Sequence, residues 1–190
     1  MGQRTQSVIE VTKPERNYET GEDAIKTYIG SYHNQWGIGK MQLWDIVRFL
    51  TEYVSGSEKY KLPAKLYKAW LLGKNDHPFK GEATPENVME WMNGQDNNDG
   101  GFLLKVKMDR FGSIESGELY IFNDPECEEI RLTKLYPEKY QDSFPSVKIE
   151  RVVSLLEYIN YCPEYFNEEF LTMFTAMLRF FNIKLITPEM

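Results

Sequence analysis

Ser31-Tyr32-His33-Asn34-Gln35-Trp36-Gly37-Ile38-Gly39-Lys40 gathers hydrogen-bonding side chains and an indole where a strand is expected to run into a helix. Free N–H groups at a helix start attract anions, and the helix dipole adds to the attraction. Gly37 and Gly39 would let a ligand approach the backbone closely. Lys40 would add a point charge. His33 is one of two histidines, and its ordinary pKa near neutrality suits a general acid or base. It is the one candidate catalytic residue. Depending on hairpin register, its strand neighbour would be Arg4, Gln6 or Glu10, and a Glu10–His33 pair would orient the ring. Gln3, Arg4 and Gln6 matter if the first strand packs beside residues 32–36, where the Arg4 guanidinium would suit a carboxylate or phosphate. The candidate ligand-binding set is therefore Gln3, Arg4, Gln6, Tyr32, His33, Gln35, Trp36, Gly37, Gly39 and Lys40.

No nucleotide fingerprint is complete in this segment. A phosphate-binding loop needs Ser or Thr after Gly-Lys and an earlier Gly, but Met41 follows Lys40 and Asn34 holds the earlier position. A dinucleotide fingerprint wants a third Gly where Gln42 stands. No Ser or Cys nucleophile is placed by spacing and no catalytic motif is complete, so a non-enzymatic role is favoured; no cofactor is expected. A tight turn before a helix and a hydrogen-bonded structural histidine compete with every functional reading of these residues. His77, before Pro78, reads as a loop residue. Asp96, Asn97, Asn98 and Asp99 supply oxygens for a cation, but Lys107 falls where a calcium loop needs an acid. A turn is expected there and no metal site. Lys59, Lys61, Lys65, Lys68, Lys74 and Lys80 are interrupted by Glu58 and Asp76 and read as a solvated helix face.

The elements that would position these residues follow from periodicity. Residues 6–12 read as a strand ended by Thr12-Lys13-Pro14, and residues 24–33 as a second strand pairing with it in a long hairpin. Leu43, Ile46, Val47, Leu50 and Val54 form one helical apolar face. A helix is predicted over 63–72. Thr84-Pro85-Glu86 starts another with a cap, a proline and an acid, and it ends near Asn93-Gly94. Residues 95–101 are all turn formers. Strands over 102–108, 117–122 and 129–135 make an antiparallel meander. A helix over 148–160 and a last one capped by Asn167 close the chain, with Phe170, Leu171, Phe174, Met177, Leu178 and Phe181 inward and Ile183–Ile186 as a short strand. The fold class is α+β: a mostly antiparallel sheet, built of an N-terminal hairpin and a three-strand meander, covered by about five helices. Residues 1–190 form one domain, with a subdivision conceivable near 94–101.

The chain has 190 residues and a net charge of −7. Residues 1–114 carry 15 acids and 15 bases, whereas residues 115–190 carry 14 acids and 7 bases. Direct nucleic-acid binding is not expected, because phosphate contacts need clustered Lys and Arg. An acidic half suits a basic protein partner, or solubility alone. No apolar run approaches the roughly 20 residues that span a bilayer, and the polar N-terminus shows no signal peptide. Cys127 and Cys162 are too few for a disulfide framework or a Cys-rich zinc site, so a reducing cytoplasm fits.

At Met1-Gly2-Gln3-Arg4-x-Gln6 and Tyr32-His33-x-Gln35-Trp36-x-x-Gly39-x-Met41 the sequence resembles a group of uncharacterised proteins found in phages and in bacterial genomes with mobile elements. They begin with a Gly-Gln-Arg-x-Gln strand and carry an aromatic-x-Gln-Trp-x-x-Gly segment before a helix. The Asn-Asn-Asp-Gly run at 97–100 is also similar. The resemblance covers about the first hundred residues. It implies a phage or mobile-element accessory protein in a bacterial host's cytoplasm, and one shared site containing Gln3, Arg4, Gln6, Tyr32, His33, Gln35 and Trp36. The expected function is binding of a host macromolecule, a defence or replication component. The alternative is a small-ligand or nucleotide-binding protein, or an enzyme, using the polar pocket of the N-terminal strand and the 32–40 segment. Homodimerisation through the aromatic last helix is a third expectation.

Overall fold

Val8, Ile9 and Val11 seed a strand because β-branched side chains favour extended backbone. That strand, β1 (Arg4–Arg16), lies inside the sheet with a neighbour on each side. The computed structural model describes residues 4–34, 43, 44, 46, 47, 49–51, 79–94, 98–123, 151–153, 155 and 168–187. Gln3, Gln35, Trp36, Gly37, Gly39 and Lys40 lie outside them, as do the helix predicted over 63–72, the strand over 129–135 and the Asn167 cap.

β2 (Asp23–Asn34) returns antiparallel along β1, with Thr5 opposite Asn34 and Arg16 opposite Asp23. This is the expected hairpin, but its first strand runs through Pro14 instead of ending there. Pro14 lies past Thr12, the last β1 residue paired with β3, so one side of β1 is open where a residue without an N–H is tolerated. Residues 17–22 turn the chain. Gly21 adopts φ 74°, and Asn17 Oδ1 accepts the Glu19 N–H at 2.9 Å.

β3 (Asn98–Met108) lies on the other side of β1 and runs parallel to it. β4 (Ile114–Asn123) follows antiparallel through a turn in which Gly112 has φ 82°. The far edge of β4 carries two short strands. β5 (Arg151–Val153) pairs antiparallel with Ile121–Asn123, and β6 (Ile183–Leu185) pairs parallel with Gly117–Leu119. The sheet order is β2-β1-β3-β4-β5, with β6 also on β4.

The class is α+β, as expected, but the sheet is mixed rather than mostly antiparallel. β2 already occupies one side of β1. The chain then passes through the helical residues within 43–51 and within 85–93 before β3, and a long connection can bring a strand back in the same direction, as a tight hairpin cannot. Three helices are present among the described residues, not about five: helical residues within 43–51, α1 (Pro85–Asn93) and α2 (Glu168–Phe180). Residues 151–153 form a strand where a helix was predicted, because the β-branched pair Val152-Val153 extends the partner row of β4. Asn98-Asp99-Gly100-Gly101 belong to β3 rather than to a turn. Between the Arg4–Asn98 and Gln6–Gly101 pairs β3 carries one residue more than β1, a bulge at which Gly100 adopts φ 96°.

Helices cover both faces of the sheet. On one face Ile9, Val11, Leu104 and Leu119 pack with Leu43, Ile46 and Leu50 and with Phe170, Phe174 and Leu178 of α2. On the other face Val8, Leu103 and Phe122 pack with Val88 and Met92 of α1. Where both faces are covered the strands read as continuous apolar runs, such as Phe102-Leu103-Leu104. Where one face opens they alternate, as in Lys105-Val106-Lys107-Met108. α1 starts as predicted. Thr84 Oγ1 accepts the Asn87 N–H at 3.2 Å, Pro85 occupies the first turn, and Gly94 closes the end.

Candidate functional site

The hairpin register decides which candidate residues become neighbours. Gln6 lies opposite His33, Ser7 opposite Tyr32 and Thr5 opposite Asn34. The start of the chain therefore runs beside the end of β2. Glu10 lies opposite Ile29, so the Glu10–His33 pairing contemplated from the sequence is replaced by an ion pair from Glu10 to Lys105 at 3.3 Å. Successive strand positions alternate faces. Positions 6 and 33 share the face covered by α1, whereas positions 7 and 32 share the face covered by α2 and residues 43–51. Arg4 pairs with Asn98 across the start of β3.

The polar residues at this end are deeply placed. Thr5, Gln6, Ser7 and Ser31 are all buried, and Gln6 is fully enclosed. Gly101, the β3 partner of Gln6, leaves no room for a side chain: a Cβ there would collide with the Gln6 carbonyl oxygen and the Met92 side chain. The Ser31 hydroxyl accepts the Phe79 N–H at 2.8 Å and ties the end of β2 to the chain leading into α1. This end of the sheet thus combines buried hydrogen-bonding groups with tight backbone packing.

A second polar region was missed in the sequence. Beyond α1 the same sheet face carries an open depression of about 490 Å³. Its floor is one cross-strand row: Glu10 pairs with Lys105, Lys105 with Glu118, and Glu118 with Lys184. The charges alternate in sign across β1, β3, β4 and β6. Tyr120 donates to Glu118 Oε2 at 2.8 Å; burial and this bond push the phenol up to about 12. Opposite charges on facing strands stabilise a sheet by about 0.2–1 kcal/mol per pair. The signal for this row was the polar alternation of Lys105 and Lys107, but its order depends on a parallel β1–β3 register that periodicity does not carry.

Among the described residues no group of three or more His, Cys, Asp or Glu is placed to hold a metal ion. Among them, too, no helix is long and apolar enough to cross a membrane. No family model matches the chain, and no curated protein or solved structure matches it significantly.

Proposed function

We propose that the chain is an accessory protein of phage or mobile-element type that acts in the host cytoplasm by binding a host macromolecule. The observation that carries this reading is the outer face of α2. Phe170, Phe174 and Leu178 turn inward, yet Met173 remains 40% and Phe180 78% exposed on one flank of that buried stripe. Met173, Ala176 and Phe180 follow one another at helical spacing, and Glu168 and Glu169 open the helix. Trp44 is 45% exposed and packs on Phe170 with ring centroids 4.8 Å apart. Exposed apolar side chains beside acids suit a partner with an apolar patch and a basic rim. The excess of acids after residue 114 points the same way.

The test is a pull-down from bacterial lysate with the wild-type chain and with M173S/F180S as baits. A stoichiometric partner should be recovered at low salt, weaken as salt rises, and be lost with the double variant. Recovery of nothing at low salt, or equal recovery by both baits, would overturn the reading.

The Gln6–His33 register supports a second reading, a small-ligand site at the start of β1. A thermal-shift screen with nucleotides and inorganic anions on wild-type and Arg4→Ala chains tests it. A response that Arg4→Ala abolishes is expected; unchanged melting in every condition removes the reading.

A further inference from the structure

β2 ends the strand order, and among the described residues no strand pairs with its outer edge. Residues 23–27 and Ile29 are exposed, Ile25 to 67% and Ile29 to 37%. An open edge is a template for a further strand, and proteins commonly guard such edges with lysine. Lys26 sits at the middle of the exposed stretch, but its ammonium is drawn back across the hairpin to Glu15 Oε2 at 3.0 Å. The Tyr28 hydroxyl is drawn to the same carboxylate. Both side chains that would guard one face of this edge are thus turned inward over β1.

We propose that the β2 edge pairs antiparallel with the β2 edge of a second copy of this chain, about a two-fold axis through Thr27. This surface is separate from the α2 face invoked above. The argument is self-complementarity. An axis at Thr27 sets Ile25 opposite the second copy's Ile29, and Ile29 opposite its Ile25, on the face that already carries Val8 and Ser31. Two isoleucine pairs then flank a threonine pair. On the other face Lys26 meets Tyr28 and Tyr28 meets Lys26, so no like charges oppose. Neighbouring registers are worse. An axis at Lys26 sets two lysines of like charge opposite each other and Ile29 against Asp23. An axis at Tyr28 sets Ile25 against Ser31 and Ile29 against Thr27. In the Thr27 register paired positions differ by an even number of residues, so outward-pointing backbone groups meet outward-pointing backbone groups. The result is one sheet continuous through both copies, an isologous arrangement that closes on itself.

Light scattering over a roughly hundredfold range of protein concentration should show a monomer–dimer equilibrium. Ile25→Lys, at a position too exposed to threaten folding, should weaken the dimer by about tenfold or more. Thr27→Cys should form an intermolecular 27–27 disulfide on mild oxidation, identified by mass mapping of the linked peptide, because facing strand residues lie within disulfide reach. Lys26→Cys should link far less, since its facing residue is Tyr28. A monomer at every concentration overturns the proposal. So does a dimer that Ile25→Lys leaves intact and Thr27→Cys does not link, which would move the contact to another surface such as α2.

Discussion

The Tyr28 hydroxyl donates a 2.6 Å hydrogen bond to Glu15 Oε1 across the β1–β2 hairpin. Lys13 and Lys26 approach the same carboxylate at 3.1 and 3.0 Å. Burial pushes the Glu15 carboxyl up, but the bonds from Tyr28, Lys26 and Lys13 outweigh it and hold the group down at about 2, against the ordinary 4.5. The depressed value fixes the sign. The stabilisation is fully present above about 4.5 and is lost as pH falls towards about 2. At about 1.4 kcal/mol per unit, and with Lys26 half exposed, the amount is on the order of 1–3 kcal/mol. Denaturant titrations should find Glu15→Gln destabilised by that amount near neutrality, with much of the difference from wild type gone by about pH 2. An unchanged difference across that window would contradict the network.

The same bond makes a second limb. Tyr28 is pushed up to about 12, chiefly by its hydrogen bond to Glu15. A raised pKa stabilises fully below the ordinary 10 and is lost as pH climbs through about 12. Tyr28→Phe should therefore lose stability near neutrality and, unlike wild type, lose no further contribution from this position between pH 10 and 12. Spectrophotometric titration of the phenols would show one fewer late-titrating tyrosine.

Gly101 tests how closely the candidate site is packed. Its missing Cβ makes room for both the Gln6 carbonyl and Met92 of α1. Gly101→Ala should destabilise by about 1–3 kcal/mol, the usual effect of overpacking. Adding Met92→Ala should recover little of that, although it removes one obstruction. The Gln6 carbonyl belongs to a central strand and has no other place to go, and emptying the Met92 position opens a cavity of its own. Full rescue would show that the collision is with the side chain alone.

The elements legible in the sequence were those whose signals are local. Thr84-Pro85-Glu86 carries its cap, and the buried face of α2 follows the helical period at Phe170, Phe174 and Leu178. The Val8–Val11 run names its strand, and the turn at Gly21 closes the hairpin. What was not legible is non-local. Nothing within Phe102-Leu103-Leu104 says that its neighbour is β1 and that the two run parallel. Val152-Val153 lies among residues with helical spacing, and only a vacant length of β4 makes it a strand. In the candidate site the neighbourhood of residues 5–7 and 32–34 followed from the hairpin, but the choice of Gln6 rather than Glu10 opposite His33 depended on where the turn fell. A shift of register by four residues would have left every side chain on the same face. Alternation therefore did not discriminate between them.

The charge row on the open face offers a sharper electrostatic test. Lys105 stands between Glu10 and Glu118, with Lys184 beyond. Lys105→Glu would place three acids side by side on adjacent strands. Two attractive pairs become two repulsive ones, and at about 0.2–1 kcal/mol per pair in each direction the loss should reach about 1–4 kcal/mol. Raising salt should shrink it, because the row lies in a depression open to solvent. Lys105→Met keeps the stem and removes only the charge, and it should destabilise by less. If reversal and neutralisation cost the same, packing rather than charge holds the row together.

Ser31 ties the candidate site to the chain that leads into α1. Its hydroxyl accepts the Phe79 N–H at 2.8 Å, and it is buried on the face where Phe79 meets Trp91 edge-on with centroids 6.0 Å apart. Ser31→Ala would leave that N–H without its acceptor in an enclosed place, a loss of about 1–3 kcal/mol. Ser31→Thr retains an acceptor and should lose less, with β-branching favourable in a strand. Hydrogen exchange at the Phe79 amide separates this bond from general loosening. In Ser31→Ala that amide should exchange faster than the global fall in stability accounts for, whereas the Val88 amide, bonded to the Thr84 carbonyl at 3.0 Å, should follow the global change only. Equal acceleration at both would mean that Ser31 supports the whole α1 face rather than anchoring the chain that leads into it.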